Sequence, residues 1–250
     1  MEAVFYSALV AFVLYIIYSY FIILSLGFTL YLACMIYAKK NKLVLDIGKK
    51  GIFITGCDTG FGYHLAKNLA LDGYTVFAGV LHIEGHGAKQ LRALKLKSLY
   101  VIKLDVTSDE DVKQAFREVE SRKHGLWGIV NNAGFNIFGD VEHATIEQYK
   151  TCAEVNLYGP IRIIKTLLPL VRKSKGRVVN VSSVLGLYSR PGWSVYHTTK
   201  HAIETLTDSL RLEMLKFGVK VAVVEPGTYD GATSCRSPER ARFRQIFHLS

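Results

Sequence analysis

The pattern of apolar and polar positions changes character at residue 39. Residues 4–38 contain no charged side chain in 35 positions, and about 20 apolar residues suffice to cross a bilayer. This stretch predicts a membrane anchor, either one long tilted span or a hairpin of two short ones broken at Ser25, Leu26 and Gly27. Lys39, Lys40, Lys42, Lys49 and Lys50 come directly after it. Beyond them short apolar runs alternate with helical patterns, the signature of a parallel sheet covered on both faces. Strands are expected at 52–55, 75–79, 99–104, 128–131, 177–181 and 220–225. Val112, Ala115, Phe116 and Val119 follow the i, i+3, i+4, i+7 rule behind a Ser108 cap and before Gly125, which predicts a helix. Thr145 with Gln148 makes a capping box. There is no internal repeat and no low-complexity stretch. The chain therefore divides into an anchor at 1–38, a basic linker at 39–50, an α/β domain at 51–235 and a short tail at 236–250.

Composition sharpens this division. With 250 residues, half of them hydrophobic, the chain suits one domain with a sizeable core and an accessory segment. The start, Met1-Glu2, carries no basic residue and the apolar run is too long for a cleavable signal peptide; a mitochondrial presequence fits poorly because the first arginine is Arg92. The lysines after the anchor favour a cytoplasmic location for the rest of the chain. All 31 basic residues and 20 of the 21 acidic ones lie after residue 38. No basic motif is interleaved with aromatics, so nucleic acid is not expected as a partner; attraction to anionic lipid headgroups beside an anchor is the simpler account. Cys34, Cys57, Cys152 and Cys235 lack C-x-x-C spacing, which points to neither a metal site nor a disulfide framework.

Two segments carry chemistry. Thr55-Gly56-Cys57-Asp58-Thr59-Gly60-Phe61-Gly62 follows an apolar run and opens an amphipathic segment. Strand, glycine turn and helix start form a phosphate cradle, since glycines let the backbone approach a pyrophosphate and the helix's first N–H groups carry partial positive charge. Tyr196 and Lys200 share a helix face at i and i+4, so the ammonium favours the ionised phenol, and Ser183 stands thirteen residues ahead of Tyr196. Tyr63 and Lys67 repeat the spacing without that serine.

With Asn131-Asn132-Ala133-Gly134 and Pro226-Gly227 in the same order, these motifs resemble the short-chain dehydrogenase/reductase family over residues 51–235. Within it the chain looks most like the branch holding 3-hydroxybutyrate, retinol and 17β-hydroxysteroid dehydrogenases. The resemblance implies a Rossmann-type doubly wound parallel sheet behind the transmembrane segment. It implies Tyr196 as acid/base, Ser183, rather than Ser182, holding the substrate oxygen, Lys200 on the nicotinamide ribose and Asn156 supporting a proton-relay water. Gly56, Thr59, Gly60, Phe61 and Gly62 would bind the cofactor at the glycine turn, with Asp105 and Val106 toward the adenine. Asn132, Ala133, Gly134, Pro226, Gly227 and Thr228 would complete its cleft, and no metal is expected. His197 and His201 match no family role and are expected on the surface or a helix face.

The branch favours NAD, with NADP left open: Ala78, Gly79 and Val80 supply neither the carboxylate that holds a ribose diol nor an arginine for a 2′-phosphate, and Glu84 is a poorly placed substitute. The expected function is a membrane-anchored oxidoreductase acting on a lipophilic alcohol or ketone of steroid or retinoid type, in the endoplasmic reticulum rather than a mitochondrial membrane, with self-association left open. A 3-hydroxybutyrate dehydrogenase, for whose carboxylate Arg190 is the one basic residue between Ser183 and Tyr196, is one alternative. A silent dinucleotide-binding membrane protein is the other, because family members continue well past Pro226-Gly227 into a substrate-covering region, whereas this chain stops at Ser250 after Arg236, Arg240, Arg242 and Arg244.

Overall fold

A computed structural model describes residues 2–40, 50–122 and 125–227. The chain divides into two units, residues 1–47 and 48–250. In the first, helix α1 (Glu2–Lys40) is continuous for 39 residues, without a break at Ser25, Leu26 and Gly27. Two hydroxyls inside it turn back onto the helix, Ser19 to the Tyr15 carbonyl and Thr29 to the Ser25 carbonyl, so these two polar groups are satisfied within the segment. Its stretch Leu9–Ile36, 28 residues, is long and apolar enough to cross a bilayer, about 42 Å at 1.5 Å per residue. Large apolar side chains are exposed all along it, Phe21 and Leu24 at 70% each. The soluble-protein pattern, one apolar stripe and one polar face, is absent.

In the second unit six strands form one parallel sheet: β1 (Gly51–Ile54), β2 (Thr75–Val80), β3 (Leu99–Lys103), β4 (Leu126–Asn131), β5 (Arg177–Val181) and β6 (Lys220–Val224), in spatial order β3-β2-β1-β4-β5-β6. Each expected strand is found within two residues of its expected bounds. The helices are α2 (Gly60–Leu71), α3 (His86–Ala93), α4 (Asp109–Ser121), α5 (Ile146–Ala153), α6 (Gly159–Lys173) and α7 (Ser194–Met214). Alternation along the strands sorts the core into two layers. Phe53, Phe77, Ile129 and Val178 pack with Val112, Ile163, Leu167 and Leu210 of α4, α6 and α7. Ile52, Ile54, Val76 and Ala78 pack with Ala66, Ala70 and Leu91 of α2 and α3.

Local signals set the helix starts where expected. Ser108 Oγ accepts from the Asp111 N–H at 3.2 Å to start α4, and Thr145 with Gln148 closes its box at 3.2 and 2.8 Å. The chain winds from β1 outward to β3, then crosses back through α4 to β4. Strand order thus reverses between β1 and β4, the place where open α/β sheets hold ligands beyond the strands' carboxyl ends.

Candidate active site

A cleft of about 750 Å³ lies across that switch point, within the range of small-molecule and cofactor sites. Its first end is the turn between β1 and α2. Gly56 and Gly60 sit at φ +69° and +59°, the left-handed region that glycine adopts without penalty. A Cβ on Gly62 would lie 2.2 Å from the Gly56 carbonyl oxygen, so α2 can approach the turn this closely only with glycine there. Gly56, Thr59, Gly60 and Phe61 line the cleft; Gly62 does not, and its part is packing behind the turn rather than contact.

The turn is tied down on both sides. Thr55 Oγ1 accepts from the Asn132 and Ala133 N–H groups at 3.0 and 2.9 Å, and Asn132 Nδ2 donates to the Thr55 and Gly56 carbonyls at 3.0 and 3.1 Å. The first turn residue after Gly56, Cys57, is wholly buried; burial and the neighbouring Asp58 carboxylate push its thiol far above the ordinary range, so it is inert packing. Asp105 lines the cleft while its Oδ1 accepts from the Thr107 N–H and hydroxyl at 2.9 and 2.7 Å. Beside it the Asp111 carboxyl is held below its usual range, chiefly by the Asp105 N–H and also by Lys103. Val106, Asn132, Ala133, Gly134, Pro226 and Gly227 also line the cleft. Thr228 lies outside the described residues.

At the second end α7 delivers Tyr196 and Lys200, both lining the cleft. Lys200 is 5% exposed, its ammonium donating to the Val181 carbonyl at 2.8 Å and lying 5.4 Å from the centre of the Tyr196 ring. Ser183 and Ser182 are both buried at the cleft wall, but their hydroxyls differ. Ser182 Oγ turns back to the Lys200 carbonyl at 3.4 Å, whereas Ser183 Oγ accepts from the Leu185 N–H at 3.1 Å, which leaves its own O–H to donate. Asn156 does not line the cleft. It is 1% exposed within a single π-helical turn, Glu154–Tyr158, a rare geometry often found at functional sites. Its amide grips the Phe135 N–H and carbonyl at 3.0 and 2.8 Å and donates to Thr199 Oγ1 at 3.1 Å. It stands behind Gly134, where a Cβ would meet Asn156 Oδ1 at 3.2 Å and Lys200 Nζ at 3.7 Å.

Three features were not anticipated from the sequence. His197, expected on a surface or helix face, is 3% exposed: Nδ1 accepts from the Arg190 N–H at 3.3 Å and the ring lies parallel to Trp193. Burial, then His201 and Arg190, lower its pKa. Phe138, Trp193, Leu185 and Tyr188 build an apolar wall beside Tyr196, with the Arg190 guanidinium 5.1 Å from the Trp193 ring centre. The start of α7 is latched by Tyr149 OH and Ser194 Oγ at 2.6 Å and by the Gly139 N–H on the Gly192 carbonyl at 3.0 Å. A serine and a tyrosine 45 residues apart carry no local spacing signal, and Trp193 reads from sequence as an ordinary aromatic.

A glycine-lined cradle, a carboxylate beyond β3 and a buried lysine at the far end fit an extended dinucleotide. Residues 50–242 match the family model described as short chain dehydrogenase, and the chain belongs to that family, whose members bind nicotinamide dinucleotides. It is 50% identical over 197 residues to the D-beta-hydroxybutyrate dehydrogenase, mitochondrial, of Mus musculus, covering 76% of this chain and 57% of that protein. It is 41% identical over 215 residues to the estradiol 17-beta-dehydrogenase 2 of Mus musculus, covering 82% of this chain and 56% of that one. The chain thus spans little more than half of these relatives' length. Among solved structures it is similar to ElxO with NADP bound, at 28% identity and a TM-score of 0.65, over 71% of this chain and 73% of that one.

Proposed function

We propose that this chain is a membrane-anchored, NAD-dependent oxidoreductase that moves a hydride between the nicotinamide and a lipophilic secondary or allylic alcohol of steroid or retinoid type. The observation that carries the reading is the pairing of Tyr196 and Ser183 with an apolar wall of Leu185, Tyr188 and Trp193 in one cleft. Bound nicotinamide supplies hydride acceptance and donation. The protein supplies the proton path. In the oxidative direction a Tyr196 phenolate would take the hydroxyl proton and the Ser183 hydroxyl would donate to the oxygen that becomes a carbonyl, while the nicotinamide, when bound, would accept the hydride. The Lys200 ammonium stabilises the phenolate and would hold the nicotinamide ribose. Asn156, locked on Phe135, would support the water that returns the proton to solvent. Gly56, Thr59, Gly60 and Phe61 would hold the pyrophosphate.

Helix α1 would place the site where lipophilic substrates partition. The lysines after it favour a cytoplasmic face, in this reading that of the endoplasmic reticulum; the similar hydroxybutyrate enzyme is named as mitochondrial. Alkaline carbonate should leave the chain in the membrane pellet, and protection of the domain from added protease in sealed microsomes would reverse the orientation.

A second reading rests on one observation. Arg190 lines the cleft and pairs with no carboxylate among the described residues, so a 3-hydroxy acid could find its counter-ion there. Turnover of a panel of steroid and retinoid alcohols against 3-hydroxybutyrate separates the two. The lipophilic reading predicts that Arg190→Leu leaves steroid oxidation within about threefold; preference for the hydroxy acid, lost in Arg190→Leu, would establish the second reading instead.

A further inference from the structure

The end of β2 shows no carboxylate in the sequence, yet the fold brings one there. The turn after β1 lies on β2, with the Cys57 N–H donating to the Gly79 carbonyl at 2.8 Å. Asp58 then reaches over the strand end, its Oδ2 accepting from the Leu81 N–H at 2.9 Å and its Oδ1 from the His82 N–H at 3.0 Å. The backbone is fixed as well. A Cβ on Gly87, in the first turn of α3, would lie 1.9 Å from the Asp58 carbonyl oxygen, so α3 is seated directly on this residue. Asp58, Leu81 and His82 all line the cleft. Glu84, the substitute the sequence offers, instead pairs with Arg92 at 3.6 Å, is 76% exposed, and is not part of the lining.

We propose that Asp58 is the residue by which this chain selects NAD over NADP, its carboxylate accepting from the hydroxyls of the adenosine ribose and rejecting a 2′-phosphate. This rests on the dinucleotide reading above. A carboxylate offers about four acceptor sites, and two amides use two of them, leaving capacity for a diol. A phosphate on the 2′-oxygen would bring close to two negative charges against a fixed anion. The described lining has no arginine or lysine at this end to offset them, because Arg190 and Lys200 belong to the Tyr196 end.

The test is calorimetric titration of the full chain in detergent with ADP-ribose, its 2′-deoxy analogue and its 2′-phosphate. These fragments stop short of the nicotinamide, so they read this end of the cleft whatever happens at Tyr196. ADP-ribose should bind at least about 100-fold more tightly than the 2′-phosphate, because a like-charge contact outweighs two factors of ten. The gap should narrow as salt rises, and loss of the 2′-hydroxyl should cost about tenfold. Asp58→Asn should bring ADP-ribose and its 2′-phosphate within about tenfold of each other, and adding His82→Arg should invert the preference. Equal affinities in the wild-type chain, or an unchanged ratio in a folded Asp58→Asn protein, overturns the proposal; should that variant not fold, the wild-type ratios and their salt dependence decide. Failure of every ligand to bind would remove the dinucleotide reading with it. ADP-ribose selectivity without alcohol oxidation would uphold Asp58 and overturn only the substrate assignment.

Discussion

The two ends of the cleft are built from different materials. At the β1–β2 end the cradle is backbone: glycines at positive φ and a turn held by Thr55, Asn132 and Gly79. At the α7 end the surface is side chains, with a buried lysine, two serines and an aromatic wall. A backbone cradle accepts any dinucleotide and needs a separate residue to discriminate, which is the part proposed for Asp58. A side-chain site discriminates by itself, but each of its members needs burial and a partner to stay in place.

Lys200→Met breaks this contrast most severely, because the lysine is proposed to serve cofactor and proton transfer together. Turnover should fall by about 100-fold to 10,000-fold and dinucleotide affinity should fall with it, read by steady-state kinetics beside fluorescence titration. Gly62→Leu attacks the other end alone. Its Cβ would stand 2.2 Å from the Gly56 carbonyl oxygen and must displace it, so dinucleotide binding should be abolished; unchanged affinity would mean that the turn does not hold the cofactor. Thr55→Val tests the joint between the ends. It leaves the Asn132 and Ala133 N–H groups without their acceptor at a residue 1% exposed, and each orphaned group costs about 1–3 kcal/mol. Urea unfolding should show about 2 kcal/mol or more lost, with recovery in Thr55→Ser.

The smallest effect concerns His197. Its pKa lies below the usual 6.5 in the folded protein, so between those two values the unfolded chain binds more protons and stability rises with pH. Acidification from about pH 6.5 should therefore destabilise the domain, and His197→Gln should flatten that slope. A slope unchanged in the variant would assign it to other groups.

Legibility in the sequence divides along the same line. The glycine turn, the six strands and the Tyr196–Lys200 pair were legible because each rests on local spacing: period two, period 3.6, or a turn requiring positive φ. Gly62 was legible as a required glycine, but whether it touches ligand or the turn before its own helix depends on packing. Asp58 was hidden for a different reason. Its partners, Leu81 and His82, are 23 and 24 residues away, and only the parallel pairing of β1 with β2 brings them together. His197 was misplaced because its partners, the Arg190 N–H and the Trp193 ring, belong to the loop before α7, where no periodicity applies. The single continuous α1 was undecided from sequence because Ser25 and Gly27 permit a break without requiring one.

The central claim, that Tyr196 moves the proton of an alcohol while the cradle independently holds the dinucleotide, is tested most directly by NADH formation in the full chain and its Tyr196→Phe variant. The assay should use the fastest alcohol of the panel, with dinucleotide affinity measured on the same samples. The account predicts a loss of about 100-fold to 10,000-fold in turnover with affinity unchanged. Equal turnover in Tyr196→Phe, or dinucleotide binding with no alcohol oxidised by the parent chain, would contradict it.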